Sequence, residues 1–461
     1  MVRARIRPSS GVEARARVPG DKSIAHRWLI LASTAEGPSR LAGVPPALDL
    51  RSTASCLAAV APAARPGLDR WLAETLSDLE VGGSTWNPSS SPSSGEPDGP
   101  VAEVEGEGRS GLRPPAAALD CGNAGTTMRL LAGVLAAAPF RSVLVGDASL
   151  SRRPMERVAE PLRAMGASVT TTDGHPPLTI RGGPLRGVRW TLPVPTAQVK
   201  GAILLAGVAA QGETIVEEPA PTRDHTERAL RALGGPVETG PGTVRVRPFQ
   251  HPGFAASVPG DLSSAAFLVG AAALLGSRLE VGGVGLNPTR THLLEVLGRM
   301  GVAVRASIER DELGEPVGTL RVDPPAHLDP VEVGPEELPL VIDEVPLLAA
   351  LAAHADGPSR FAGAGELRLK ESDRLEGIAA GLRGLGGRAE AVGDALRVEG
   401  GGLRGGRASS LGDHRLAIAF AVAGLAAEGE VEVEGFEAST VSFPGVVAAL
   451  RGLGAHIEVS T

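Results

Sequence analysis

The sequence contains no tyrosine, and its 461 residues include only 8 Phe, 4 Trp and two cysteines, Cys56 and Cys121. A core this poor in aromatics must be filled by Ala, Val and Leu, which suits the helices and short strands of a compact α/β protein. Two cysteines make no disulfide framework, and Cys121 reads most simply as a small buried hydrophobe. No His/Cys set has metal-ligand spacing, and neither a Walker A loop nor a dinucleotide fingerprint occurs, so no metal and no cofactor is expected. No apolar run is long enough to cross a membrane. Arg3, Arg5 and Arg7 are not followed by the apolar stretch of a signal peptide, so a cytoplasmic protein is expected. A net charge of −8 gives no global basic footprint for nucleic acid. Lysine is nearly absent too: of 45 Lys+Arg residues only Lys22, Lys200 and Lys370 are lysine. In a chain so biased toward arginine, a surviving lysine marks a place that needs a compact ammonium rather than a planar fork, or survives by chance.

What is present begins with Val18 to Arg27, V-P-G-D-K-S-I-A-H-R. Pro19-Gly20-Asp21 is turn and cap chemistry, and the apolar rhythm after Ser23 predicts a helix starting near Lys22. Lys22, Ser23 and Arg27 then lie on the first turns of a helix, where free N–H groups and the macrodipole favour an anion. The same pattern also suits a capped surface helix with stray charges. Residues 2 to 19 alternate polar and apolar and predict one strand leading into this turn. The turn recurs as Val258-Pro259-Gly260-Asp261, 240 residues on, which predicts two homologous halves. We expect one domain over residues 20–258 and a second built from 1–19 plus 259–461.

A finer repeat lies inside the halves. A helix end L-x-x-[LM]-G leading into a strand begins at Leu162, Leu230, Leu297, Leu382 and Leu450, with spacings of 68, 67, 85 and 68 residues. Glycine there is a helix C-cap. A degenerate sixth copy is placed at Leu72–Leu79, followed by a Ser/Pro/Gly-rich stretch over 83–100 expected to be a loop without a role. Six helix–strand units, three per half, fit a repeat-built α/β protein better than a doubly wound sheet.

Further polar residues recur at predicted helix starts. Gly122 to Arg129 is a Gly-rich loop before a helix. Arg152 and Arg153 precede Pro154; on local grounds both read as solvated. Thr196, Ala197 and Gln198 open another helix, as do Arg223, Asp224 and His225, where Asp224 is a possible cap and His225 reads as structural. Asp343 and Glu344 follow an apolar stretch, L-V-I, read as a strand. Lys370, Glu371, Asp373 and Arg374 form a dense cluster that also suits solvated helical ion pairs, and Asp413-His414-Arg415 opens an Ala-rich helix. Cations at helix starts in both halves, aimed at one cleft, would make a positive field inside an acidic protein. That suits substrates bearing phosphate and carboxylate groups, with nearby carboxylates for proton transfer.

The motifs P-G-D-K-S-I-A-H-R, G-N-A-G-T-T-M-R, R-P-M, K-E-S-D-R and G-D-H-R, in this order, together resemble the 5-enolpyruvylshikimate-3-phosphate synthase family of enolpyruvyl transferases. The likeness runs from about residue 6 to 457, leaving out 83–100. It implies a two-domain inside-out α/β barrel, each domain built from three βαβαββ repeats, with the active site in the cleft. It also implies transfer of the enolpyruvyl group of phosphoenolpyruvate to the 5-hydroxyl of shikimate 3-phosphate, with release of phosphate, in the shikimate pathway. By the resemblance, Lys22, Ser23, Arg27, Thr196, Ala197, Gln198, Arg223, Asp343 and Lys370 would hold shikimate 3-phosphate. Lys22, Gly125, Arg153, Gln198, Arg374 and Arg415 would hold phosphoenolpyruvate. Asp343 would be the base for the hydroxyl, Glu371 the acid for the methylene carbon, and Lys22 would assist loss of phosphate. Both partners are small molecules, and a monomer is expected. Ala197 replaces a serine, Val441 stands where some members carry lysine, and Glu366 occupies a position that can be Asn. Gly125 is the small residue whose replacement by Ala in some members excludes glyphosate, which implies sensitivity here. The related UDP-N-acetylglucosamine enolpyruvyl transferases carry a reactive cysteine where this chain has Ala148 and lack the P-G-D-K-S start. A non-catalytic metabolite-binding paralogue is the remaining alternative, but it should have lost Asp343 or Glu371.

Overall fold

A computed structural model of the protein describes residues 2–76 and 99–460. Its architecture follows from one unit repeated. In the clearest copy, strand Leu119–Asp120 leads to helix Gly125–Ala136, strand Arg141–Val145 and helix Glu156–Ala164. A hairpin of Ser168–Thr172 and His175–Arg181 completes it. The first two strands pair in parallel (Leu119 with Leu144), and the hairpin adds antiparallel strands, giving one four-stranded sheet. The described residues hold six such small sheets, five of four strands and one of three. Five units end as the L-x-x-[LM]-G repeat requires: Gly166, Gly234, Gly301, Gly386 and Gly454 all have positive φ, and a strand starts within three residues. At those positions a Cβ would be strained, so glycine both stops the helix and turns the chain into the hairpin. The sixth copy opens with helix Arg65–Glu74. The rest of it from residue 77, like residues 83–98 of the expected loop, lies outside the described residues.

The apolar side chains form two buried clusters. One runs from Ile24 to Val258. The other takes Ala4, Ile6, Ala16 and Val18 together with residues from Leu262 to Ile457. Both are dominated by Ala, Val and Leu, and helix Leu262–Leu275 is apolar on all sides because it is almost wholly surrounded. The chain passes between the clusters twice, at the two Val-Pro-Gly-Asp turns. There Asp21 N–H donates to the Pro259 carbonyl (2.7 Å) and Asp261 N–H to the Pro19 carbonyl (2.8 Å). Gly20 is required at this crossing, since a Cβ would lie 2.3 Å from the Gly43 carbonyl oxygen. The fold is a two-domain inside-out α/β barrel built from these repeats, and no helix among the described residues is long and apolar enough to cross a membrane.

Two local expectations fail. Residues 2 to 19 form two strands rather than one. Arg3–Arg7 pairs with Val431–Glu434 and His456–Ser460, and Ala14–Ala16 joins Leu279–Gly285 in a different sheet. Pro8 cannot continue the ladder, and the backbone turns at Ser9 and Gly11 to donate to the Leu425 and Leu275 carbonyls. The apolar L-V-I before Asp343 is not a strand. Leu338–Val341 is a helical turn with Pro339 in its first turn, and Val345–Ala352 follows with Pro346 likewise placed. Proline at a helix start outweighs the apolar run.

Candidate active site

The helix Lys22–Thr34 starts as expected, capped by Asp21, whose Oδ1 accepts the Ile24 N–H (3.1 Å). This cap sets Lys22 at the rim of the cleft. Its ammonium donates to Asp49 Oδ2 (2.8 Å) and to the Val441 carbonyl of the opposite wall (3.3 Å). Ser23 is half-buried beside it. Arg27 lies a turn deeper and is buried. Its guanidinium donates to Thr226 Oγ1 (2.8 Å) and to the Ser23 carbonyl (2.7 Å), so it braces the helix start from behind. Burial lowers its pKa to about 10.

The Gly-rich loop brings a second group together. Gly122 N–H donates to Asp120 Oδ1 (2.8 Å), and Asn123 bridges Asp147 (2.7 Å) and Arg153 (2.6 Å). Arg153 is buried and turned inward, which corrects its reading as solvated, while Arg152 is exposed as read. Asn123 Oδ1 (2.6 Å) and Glu371 Oε1 (3.6 Å) are what hold Arg153 there. Arg129, on the same helix as Gly125, donates to Gln198, whose amide donates in turn to Thr126 Oγ1 (2.8 Å). Burial first, then Arg157 and Arg153 nearby, lowers the Arg129 pKa to about 9. Gly125 faces both guanidinium groups: a Cβ there would lie 2.9 Å from Arg129 Nη1 and 3.2 Å from Arg153 Nη1. Thr196 and Ala197 are half-buried at the start of the helix that carries Gln198, and Thr196 makes no side-chain cap bond.

Opposite stands Asp343. Arg223 approaches its Oδ2 at 2.5 Å, Lys370 and Arg374 its Oδ1 at 3.5 and 3.7 Å, and Arg415 its Oδ2 at 3.9 Å. Arg415 also donates to the Asp343 carbonyl (2.7 Å). Burial pushes the Asp343 carboxyl up, but these four cations outweigh it and hold it well below the ordinary range. Glu371 is likewise raised by burial and more strongly lowered, by Arg374 (2.6 Å) and Arg153. Arg374 is buried rather than solvated, because Asp413 takes its Nε (2.7 Å) and Nη2 (3.2 Å) while also capping the helix His414–Gly424. His414 is buried beside Lys22, and its pKa falls to about 3, so it is neutral. Helix starts from both halves thus converge, and the walls touch at Lys22–Val441, Arg153–Glu371 and Arg223–Asp343.

Of the three lysines, Lys22 and Lys370 face the cleft. Lys200 does not; it is buried between Glu227 (2.7 Å) and Glu218 (3.1 Å). Asp224 makes no cap hydrogen bond and instead pairs Arg228, while His225 is structural as read, bonded to Glu315 (2.8 Å). Glu366 meets Arg157 (3.8 Å) across the cleft. Three residues of the site escaped the sequence reading as ligand-side groups: Asp49, Asn123 and Asp413. Asp413 at least carried a cap signature before an apolar helix. Asp49 sits inside A-L-D-L-R with no local mark of its pairing.

The comparisons with known proteins agree over nearly the whole chain. The family model for EPSP synthase (3-phosphoshikimate 1-carboxyvinyltransferase) matches residues 6–64 and 94–450. A 3-phosphoshikimate 1-carboxyvinyltransferase of Acidithiobacillus ferrooxidans is 44% identical, with 100% of both chains covered. One of Thermus thermophilus is 48% identical, with 96% of each covered. Among solved structures, an EPSP synthase of Acinetobacter baumannii superposes with a TM-score of 0.81 at 39% identity, covering 100% of both chains. An enolpyruvyl transferase of Streptomyces tendae, at 20% identity and a TM-score of 0.72, shares the fold. With identity at this level over its full length, and with the Lys22, Gly125, Lys370–Arg374 and Asp413–Arg415 stretches meeting in one cleft, this chain belongs to the EPSP synthase family.

Proposed function

We propose that the protein transfers the enolpyruvyl group of phosphoenolpyruvate to the 5-hydroxyl of shikimate 3-phosphate and releases inorganic phosphate. The observation that carries this reading is Asp343, a buried carboxylate ringed by Arg223, Lys370, Arg374 and Arg415, facing a second cationic group around Gly125. Two clusters of cations suit two polyanions, and a carboxylate among them suits a hydroxyl that must lose its proton.

In this mechanism Asp343 takes the 5-hydroxyl proton as that oxygen bonds to C2 of phosphoenolpyruvate. Glu371, charged in the empty site, must first carry a proton; it delivers that proton to C3, converting the methylene to a methyl and leaving a tetrahedral ketal. The ketal then returns a proton from the methyl to the Glu371 carboxylate as its C–O bond to phosphate breaks, restoring the double bond in the product and releasing inorganic phosphate. Lys22 stabilises the departing phosphate, a role suited to a compact ammonium. Shikimate 3-phosphate is assigned to Lys22, Ser23, Arg27, Thr196, Ala197, Gln198, Arg223, Asp343 and Lys370. Phosphoenolpyruvate is assigned to Lys22, Gly125, Arg153, Gln198, Arg374 and Arg415. Arg27 is spent on internal hydrogen bonds, so its share is to hold Ser23. The separate apolar clusters support a division into domains at residues 19/20 and 258/259, with the cleft between them.

The test is phosphate release from phosphoenolpyruvate, with and without shikimate 3-phosphate, on the wild type and Asp343→Ala. Release that requires the acceptor and collapses in the variant is expected. Release independent of shikimate 3-phosphate, or undiminished in the variant, refutes the assignment.

A further inference from the structure

Arg290 is a buried cation that lies outside these assignments. Arg290 follows the Asn287-Pro288-Thr289 turn between strand Leu279–Gly285 and helix His292–Arg299. Its Nη1 meets Asp21 Oδ2 at 2.8 Å. Its Nη2 meets Asp261 Oδ1 at 3.3 Å, Ser263 Oγ at 2.7 Å and Glu344 Oε1 at 3.9 Å. All four charged side chains are buried or nearly so.

The two aspartates are the caps of the repeated Val-Pro-Gly-Asp turns, where the chain crosses between the two apolar clusters. The reciprocal hydrogen bonds of those turns bring Asp21 and Asp261 to one spot. Two buried like charges repel, and a cation between them removes that repulsion. Arg290 fills this place with a fork: one nitrogen serves each crossing. A lysine would present a single point and reach one carboxylate well.

The same guanidinium reaches the chemistry through neighbours on both sides. Asp21 caps the helix on which Lys22 is the first residue. Glu344 directly follows Asp343 and accepts from Ser263, the hydroxyl that Arg290 also contacts. Arg415, which holds the Asp343 carbonyl, lies 3.4 Å from Ser263 Oγ and 3.7 Å from Glu344. Lys22 and Asp343 belong to different halves of the chain; besides the direct Arg223–Asp343 contact, a path between them through buried side chains runs by way of Arg290.

We propose that Arg290 is a positioning residue, which fixes Lys22 relative to Asp343 across the two crossings. The proposal rests on the roles given to those two residues under Proposed function. An error of about 1 Å between reacting groups costs on the order of a hundredfold in rate. Losing the fork should therefore lower kcat while leaving each ligand's own contacts in place.

Two variants test this: Arg290→Lys, which keeps the charge, and Asp261→Asn, which keeps Arg290 and an equally good cap. For each, kcat and both KM values are measured by phosphate release. Folded fraction is measured by circular dichroism, and shikimate 3-phosphate stoichiometry by calorimetry. The expected result is at least a ~10-fold fall in kcat per binding site for both variants, with KM values within about threefold of wild type. A purely structural role would lower the binding stoichiometry and leave kcat per site unchanged, and that outcome overturns the proposal. So does wild-type kcat in either folded variant, or a failure of both to fold, which would assign Arg290 to stability alone. A wild type that releases no phosphate with shikimate 3-phosphate refutes the transferase reading instead.

Discussion

Replacing Asp343 by asparagine separates the two roles that a buried carboxylate among cations can have. The side chain keeps its size and one oxygen but loses its charge and its ability to take a proton. Four cations lie between 2.5 and 3.9 Å from the carboxylate. In the variant they face one another without it, so the cleft becomes more positive by one charge. Binding of anionic substrates should then hold or tighten, because the cations that would grip phosphate and carboxylate oxygens are released from an internal partner. Proton transfer behaves in the opposite way: a positioned base contributes about 10²–10⁴-fold, so kcat should fall by that factor, about 3–5 kcal/mol of barrier. The signature is a collapse of kcat with both KM values within about threefold of wild type or lower. The unliganded variant should also melt below wild type and recover on addition of inorganic phosphate, which supplies the missing negative charge. Steady-state phosphate release over a matrix of both substrates gives the kinetic terms, and a thermal melt with and without phosphate gives the other. If instead KM for shikimate 3-phosphate rises a hundredfold while kcat is retained, Asp343 is a binding group and the base assignment is wrong.

Glu371→Gln should lower kcat by about 10²-fold or more, since an amide cannot deliver a proton to carbon; normal single-turnover formation of the ketal in that variant would remove Glu371 from the acid role. Gly125→Ala should raise the phosphoenolpyruvate KM about tenfold, because the new methyl displaces the Arg129 and Arg153 guanidinium groups it would otherwise meet at 2.9 and 3.2 Å. Glyphosate inhibition should weaken further still, and an unchanged inhibition constant would contradict the reading of this position. Lys200→Met should destabilise the fold by about 3–5 kcal/mol by leaving buried Glu227 and Glu218 without their partner; a urea midpoint equal to wild type would count against it. Asp21, Asp343, Glu371 and Asp413 all have pKa values lowered in the folded state, against burial that alone would raise them. Their stabilisation is therefore complete above the unfolded carboxylate pKa of about 4 and is lost as pH falls through the lowered values. A melting temperature flat from about pH 6 to 8 and dropping below about pH 4 is expected, and a protein equally stable at pH 3 would contradict it.

The repeat was legible because it is written in local chemistry. Glycine after the last helical turn has one conformational reason to be there, and the five copies that could be read in full lie at positive φ before a strand. Asp21 was likewise legible as a cap, and the position of Lys22 followed from it; Gly125 and Arg415 were legible as residues at the starts of helices. The misreadings arose where proline or tertiary contact overrode a pattern. Alternation over residues 2 to 19 could not reveal that Pro8 ends one strand and sends the next to another sheet. The run L-V-I reads as a strand until Pro339 and Pro346 are weighed as helix starts. Arg153 and Arg374 look solvated beside other charges, and only Asn123, Glu371 and Asp413, distant in sequence, draw them inward. Asp49 and Arg290 carry no local signal, because the partners that define them come from other helices and from the other crossing.

The same contacts explain which carboxylates are free to do chemistry. An acidic chain that gathers so many cations at helix starts must neutralise them before any substrate arrives, or the empty cleft would drive itself apart. Asp49, Asp343, Glu371 and Asp413 do this, each against a cation of the cleft. They differ in what else they can reach. Asp413 is fully buried, and its two oxygens are taken by Arg374, Ser372 and the Arg415 N–H. Asp343 keeps 15% and Glu371 27% of its side chain exposed, and each is held by cations assigned above to the substrates. When substrate anions take over those cations, the pressure that keeps both carboxylates charged is relieved, and their affinity for a proton rises toward that of an ordinary buried acid. Asp413 gains no such freedom: it has no exposed surface, and Ser372 and the Arg415 N–H hold its oxygens besides Arg374. Proton transfer is thereby coupled to occupancy: the carboxylates are poor proton acceptors while the cleft is empty and become competent as the anions that need them arrive.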